Sequence, residues 1–310
     1  MENVLRKLQQ LNILQHVQTL VLDGLDVPAR LIHHLMGNEQ LNIRILSVRS
    51  VNRLDEGELQ HVLHYAVSLP RPANMPKIQG LYLFGPRDAF RTAFRAASKL
   101  RSAMPPEFHV PQPDRWFDTD GRIFPKAPDV NWPEIVLACQ GVISFDLPLC
   151  NGPYHSRSVA NTIPSAELDF YPPGLATHAL GACSGCNRAP EGFSTLKTTP
   201  INQFPLVAPP PLHSSSIKSA KIPPDSGHDP IRKKLLMRCD RCLQNRYCES
   251  CYRWWCEECY EPPVQRSRIP KEVEEWEKLE AKSSKLDKRA KVLMGVCIDC
   301  ILLSDKKHCL

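Results

Sequence analysis

Arg238-Cys239-Asp240-Arg241-Cys242 opens a block that runs through Tyr247-Cys248-Glu249-Ser250-Cys251-Tyr252-Arg253-Trp254-Trp255-Cys256 to Glu257-Glu258-Cys259-Tyr260. It holds three Cys-x-x-Cys pairs. Two intervening residues let one tight turn aim both sulfurs at a single tetrahedral ion, with Zn–S of about 2.3 Å. Outward from the block lie Cys183/Cys186 and Cys297/Cys300, so ten of the 13 cysteines are paired in this way. One such pair reads equally well as a redox centre, whereas five read as a metal framework. Bound thiolates are deprotonated, and a structural zinc site supplies folding free energy of order 10–16 kcal/mol. A small, irregular Cys-rich domain over 183–310 is therefore expected to be stabilised by Zn²⁺.

The pairing of the knuckles stays open at this level. The connectors between Cys239/Cys242, Cys248/Cys251 and Cys256/Cys259 are too short for adjacent pairs to share an ion easily, so an interleaved cross-brace is expected. Cys239/Cys242 with Cys256/Cys259 is the first choice, and Cys248/Cys251 then joins Cys183/Cys186 or Cys297/Cys300. Ten ligands do not divide by four. Two ions are expected, and a third needs two more ligands, for which His308 and Cys309 are the nearest candidates. Cys139 and Cys150 read as buried apolar thiols of the N-terminal part. The aromatics of the block are expected to form a small core beside the metal. An exposed Trp254 or Trp255 would be a partner-binding residue.

Upstream, the chain changes character. Val17–Leu25, Ile43–Val51 and Ile78–Gly85 are three short runs with alternating apolar residues. Helical stretches separate them, about Ala29–Met36 and Glu56–Val67, the second placing Leu59, Val62, Leu63 and Ala66 on one face. Strand and helix recurring at intervals in the twenties and thirties predict a leucine-rich-repeat-like α/β domain over 1–150, with an ordinary α/β sandwich as the alternative. A short helix from Trp132 and a strand at Val142–Asp146 would complete its sheet.

A longer helix is expected from Pro86 to about Met104, with Phe90, Ala93, Phe94, Ala97 and Leu100 buried. Its Arg87, Arg91, Arg95 and Lys99 form either a solvated flank or a docking stripe for an acidic partner. Residues 105–131 read as an insertion loop, and 151–182 as a turn-rich connector. The chain contains 29 prolines, against a usual share of about 5%. They concentrate in part in 198–230, read as a Pro-rich spacer within the zinc module. About 272–292 reads as a charged helix, with Val273, Trp276 and Leu279 its apolar edge.

Several function classes are excluded or weakened. No run of about 18 apolar residues exists, so no membrane span is expected. Met1–Gln10 lacks an apolar secretory segment, which favours cytoplasm and/or nucleus, where thiols stay reduced. The net charge of +6 is mild. Walker, Gly-x-Ser-x-Gly, His-Glu-x-x-His and kinase signatures are absent. Zinc saturated by sulfur has no open position for water, so the chain is not expected to be an enzyme.

The runs Val17–Leu25 and Gly141–Asp146, the segment Cys183-Ser184-Gly185-Cys186-Asn187-Arg188-Ala189-Pro190-Glu191-Gly192 and the block from Arg238 to Tyr260 together resemble filamentous-fungal proteins called F-box or ubiquitin-fusion-degradation-like proteins. The resemblance spans nearly the whole chain. It implies a non-catalytic substrate receptor or adaptor of a cullin-type ubiquitin ligase, with a protein substrate as partner. This sequence shows no F-box opening, so a Skp-type adaptor is expected to bind only if an F-box lies upstream of Met1. Two alternatives come from the residues themselves. The first is a stand-alone RING-like E3 ubiquitin ligase, although the expected central histidine ligand is missing. The second is a zinc module for nucleic acid or chromatin, motivated by Arg232, Lys233 and Lys234. Glu249, Glu257 and Glu258 would repel phosphate, so nucleic acid is the less expected partner.

Overall fold

The computed structural model describes residues 2–68, 76–85, 121–124, 128, 131–152, 155, 174–188, 194–195, 199–211, 216–222, 234–243, 245–260, 291–293 and 295–307. The Arg87–Lys99 stripe, the charged helix over most of 272–292, His308 and Cys309 lie outside them.

The N-terminal part begins with α1 (Glu2–Gln10), β1 (Thr19–Val21), α2 (Ala29–Gly37), β2 (Ile45–Ser47), α3 (Glu56–Val67) and β3 (Gly80–Tyr82). It continues, after β4 (Gly121–Arg122) of a second sheet, with α4 (Trp132–Ala138) and β5 (Ser144–Phe145). Strands β1, β2, β3 and β5 form one parallel sheet in chain order. Each expected run yields a strand, but only two or three residues of it pair. Asp55 starts α3, its carboxylate accepting the Glu58 amide at 2.9 Å, which satisfies one of the amide donors a helix leaves open.

Register sorts the strand residues onto two faces. Leu20, Leu46, Leu81 and Phe145 stand in one row. They meet Ile32, Leu35, Leu59, Leu63, Trp132 and Val136 from the helices in the main core. Thr19, Ile45, Gly80 and Ser144 form a row on the other face. That face is covered too, as parallel sheets require. Over it lie Leu206 and, from α5 (Ile217–Lys221), Ile217 and Ala220, all packed with Ile45 and Tyr82. Leu206 donates its amide to the Phe145 carbonyl at 2.8 Å, and the Tyr82 hydroxyl donates to the Ala208 carbonyl at 2.7 Å. A Cβ on Gly80 would sit 2.6 Å from Ile217 Cδ1, so any larger residue there would push that methyl aside.

The Pro-rich 198–230 stretch is thus no mere spacer where it is described. Proline spoils regular pairing, but Leu206, Ile217 and Ala220 carry enough apolar surface to seal a sheet face.

Polar side chains close the carboxyl ends of the strands. Asp23 accepts the Ser47 hydroxyl at 2.7 Å and the Arg49 amide at 2.8 Å, and pairs with the buried Arg49 guanidinium. Asp146, buried, accepts amides of Leu83, Phe84 and Gly85 at 2.8–3.1 Å. Burial pushes its carboxyl upward, against those amides and Arg49.

The second sheet is antiparallel, in the order β4, β6 (His178–Leu180), β8 (Lys234–Arg238), β7 (Ser194–Thr195). Residues 174–180, expected to be connector, supply its β6 strand and bury Ala176, Ala179 and Leu180. A β9–β10 hairpin (Val292–Leu293, Val296–Cys297) and α6 (Ile298–Lys307) complete the described fold.

Candidate metal centre

Three groups of ligand atoms converge in the Cys-rich half. They are Cys150, His155, Cys239 and Cys242; Cys183, Cys186, Cys256 and Cys259; and Cys248, Cys251, Cys297 and Cys300. Within each group all four atoms lie within 4.8 Å of one another. A tetrahedral ion with bonds of about 2.3 Å demands S···S edges of about 3.8 Å. Cys150–Cys242 is 3.7 Å, Cys186–Cys256 3.8 Å, Cys251–Cys297 3.6 Å and Cys248–Cys300 3.9 Å. A disulfide needs about 2.05 Å, and all twelve described cysteines are free thiols. The donor set fits a thiolate-loving tetrahedral metal. His155 Nε2 lies 3.1 Å from Cys239 Sγ, at hydrogen-bond distance and inside the edge of about 3.5 Å that a mixed N/S tetrahedron has.

Backbone amides serve the sulfurs. Cys150 Sγ accepts from Gly152 and Cys239, Cys183 Sγ from Gly185 and Cys256, and Cys248 Sγ from Cys297, at 3.1–3.4 Å. Such donors favour thiolate over thiol. Cys239 is pulled far below the ordinary thiol value by its hydrogen bonds with Cys150 and Cys242, while the same bonds push Cys150 up. Asn187 and Tyr252, each directly after the second cysteine of a knuckle, take positive φ values of 53° and 61°. Their amides donate at 2.8 Å to the carbonyls of Cys183 and Cys248, closing the knuckle turns. A Cβ on Gly185 would fall 2.9 Å from Cys259 Sγ.

The fold explains a pairing different from the one expected. Arg246–Trp255 is a hairpin, with Trp255 donating its amide to the Arg246 carbonyl and Tyr247 bridged to Trp254. Its tip is the Cys248–Cys251 knuckle, while Cys256 follows its base. The two knuckles therefore point to different ions. Cys239/Cys242 does not join Cys256/Cys259 either. Cys239 follows β8 where His178 pairs with Arg238, at one end of the ladder, and Cys183 follows β6 at the other. Cys239/Cys242 meets Cys150 and His155, and Cys256/Cys259 meets Cys183/Cys186. Of the two partners open to Cys248/Cys251, Cys297/Cys300 is the one in place. The general expectation of interleaving holds.

Cys150 is a correction as well. It is buried in an apolar cluster with Ala176, Phe204 and Val207, but its sulfur also stands among the ligand atoms of His155, Cys239 and Cys242. The Cys150 amide donates to the Gly174 carbonyl at 2.7 Å, and the buried Arg238 donates to Asn151 Oδ1 at 2.7 Å, fixing the loop beside β8. Cys139 is the apolar thiol expected, pushed up to about 12 by burial. His155 was missed because no second ligand stands at knuckle spacing from Cys150.

Trp254 and Trp255 are both buried, which removes them as exposed partner residues. With Leu180, Leu236, Tyr247 and Tyr260 they form the small core between the second and third groups. Trp254 Nε1 donates to the Gly181 carbonyl at 3.1 Å. Arg246, also buried, donates to the carbonyls of Cys242 and Trp255 and so links the first and second groups.

Among the described residues, no helix is long and apolar enough to cross a membrane. No family model, curated protein or solved structure matches the chain, so the resemblance to F-box and ubiquitin-fusion-degradation-like proteins gains no support from them.

Proposed function

We propose that this chain is a non-catalytic protein-interaction protein whose C-terminal half is held by three structural Zn²⁺ ions. The observation that carries the reading is the closed donor set. Each group supplies four N or S ligands at tetrahedral spacing, and four such ligands leave no position for a reacting water. Sulfur-rich tetrahedra suit zinc, and the buried amides and Arg238 around the first group are the outer support that structural sites use. The strand–helix succession of the N-terminal half supports a leucine-rich-repeat-like reading of that half. With Leu206, Ile217 and Ala220 lying over β2 and β3, partner binding falls to other surfaces. A substrate receptor or adaptor in ubiquitin transfer is the form of this role that the sequence resemblance implies. Full-length protein, prepared with zinc and passed through desalting, is expected to carry three zinc ions and to show no metal-dependent hydrolysis. A metal-free, folded protein would overturn the reading.

A second reading has a specific observation in its favour. Leaving the first group aside, the first and third knuckles share one ion and the second and fourth the other. This is the cross-brace order of RING modules. On that reading the chain recruits a ubiquitin-charged E2. Autoubiquitination with purified E1 and E2 enzymes, abolished by Cys256→Ser, would establish it. Its absence across a panel of E2 enzymes would leave the adaptor form.

A further inference from the structure

The second and third groups have the same composition and the same burial pattern, two buried and two half-buried cysteines each. They differ in what faces the sulfurs. Arg253 donates from Nε to Cys251 Sγ at 3.2 Å and from Nη2 to Cys297 Sγ at 3.4 Å. Asp299 at 2.8 Å holds the guanidinium, which lies 5.8 Å from the Trp255 ring centroid. Around the second group, among the described residues, no charged donor reaches a sulfur. Only backbone amides do, and they concentrate on Cys183. Carboxylates do not separate the two groups, since Glu257 and Glu258 stand in a knuckle of the second and Glu249 and Asp299 in the knuckles of the third.

Four thiolates and one Zn²⁺ sum to a net charge of −2. A cationic donor on two sulfurs withdraws lone-pair density and makes them poorer nucleophiles. The first group is buried throughout, and its neutral imidazole leaves only −1. The geometry points to Cys186 and Cys259, the half-buried members of the second group, as the chain's site of modification by soft electrophiles, with Arg253 shielding the third group. This rests on the reading that the groups hold zinc.

With a maleimide the step is an addition. The metal-bound thiolate sulfur of Cys186 or Cys259 forms a bond to one alkene carbon. The alkene π pair becomes an enolate, which takes a proton from water. The product is a thioether, which binds zinc poorly, so the Zn–S bond is lost and the ion becomes available to a chelator.

The test uses zinc-loaded full-length chain and substoichiometric N-ethylmaleimide. Peptide mass mapping locates the adduct, and a chromogenic chelator follows zinc release. Cys186 and Cys259 are expected to carry the adduct at least about fivefold over Cys251, Cys297 and Cys300, with release of a single zinc in the first phase. Arg253→Lys and Arg253→Gln are expected to bring Cys251 labelling to within about twofold of Cys259. First labelling at Cys251, Cys297 or Cys300 in the unsubstituted protein, or equal labelling of both groups, overturns the inference. A chain that binds no zinc sinks the zinc reading itself. Three zincs with labelling elsewhere sink only this one.

Discussion

Around the parallel sheet, Leu46, Leu59, Leu63, Leu81 and Trp132 are all buried to within 1% of full enclosure, and helices meet strands over a continuous apolar core. Between Leu180 and Cys300 the buried set is different. Four of its twelve buried members are cysteines, and four more, Leu243, Tyr247, Trp255 and Tyr260, adjoin one in sequence. The first region gains its stability from apolar area removed from water. The second has too little such area for its loops, and on the proposed reading zinc at the three groups takes the place of a layer of core. The seam between them, where Leu206 and Ala220 cover β2 and β3 and Cys150 reaches Cys239, belongs to both.

Metal removal should separate the regions most strongly. Each structural zinc is worth of order 10–16 kcal/mol of folding free energy. A strong chelator is therefore expected to abolish amide protection over 239–260 while protection around Leu46, Leu59 and Leu81 persists. Hydrogen exchange followed by mass spectrometry reads both. Simultaneous loss in both regions would show that the sheet does not stand without the metal.

The converse substitution is Asp23→Ala. It leaves the Arg49 guanidinium buried without its carboxylate, at a cost of about 3–5 kcal/mol. Denaturant melts should show this loss with zinc content unchanged, and a change below 1 kcal/mol would place the pair outside the stabilising network. Leu206→Ala probes the seam. Removing a fully buried leucine side chain costs about 2–5 kcal/mol. If the Pro-rich stretch were a detached spacer, the change would cost nothing. The smallest effect is expected from Asp55→Ala, which removes the N-cap of α3 for about 1 kcal/mol, read as a small shift in the melt of the sheet half alone.

Legibility in the sequence follows the same division. Strand and helix positions in the N-terminal half could be read because Leu59/Leu63 and the alternating runs at Leu20, Leu46 and Leu81 obey local periodicities. The ten knuckle cysteines were equally legible, since Cys-x-x-Cys is itself a local pattern. Their pairing was not, because it depends on the hairpin from Arg246 to Trp255 and on the β6–β8 ladder, both set by tertiary contacts. Cys150 and His155 escaped for the same reason. They stand five apart in sequence and join Cys239 and Cys242 only when contacts from Arg238 and Gly174 hold Cys150 and Asn151 beside β8. The coverage of the sheet by Leu206, Ile217 and Ala220 was hidden by proline, which signals irregular backbone but says nothing about burial.

The most direct measurement is the zinc count of the full-length chain by native mass spectrometry, with Cys150→Ser and His155→Ala beside it. Three zincs in the parent chain, with the third lost or weakened in both variants, is the expected result. Two zincs in the parent, unchanged by either substitution, would contradict the first group as a metal site and return Cys150 to the apolar core.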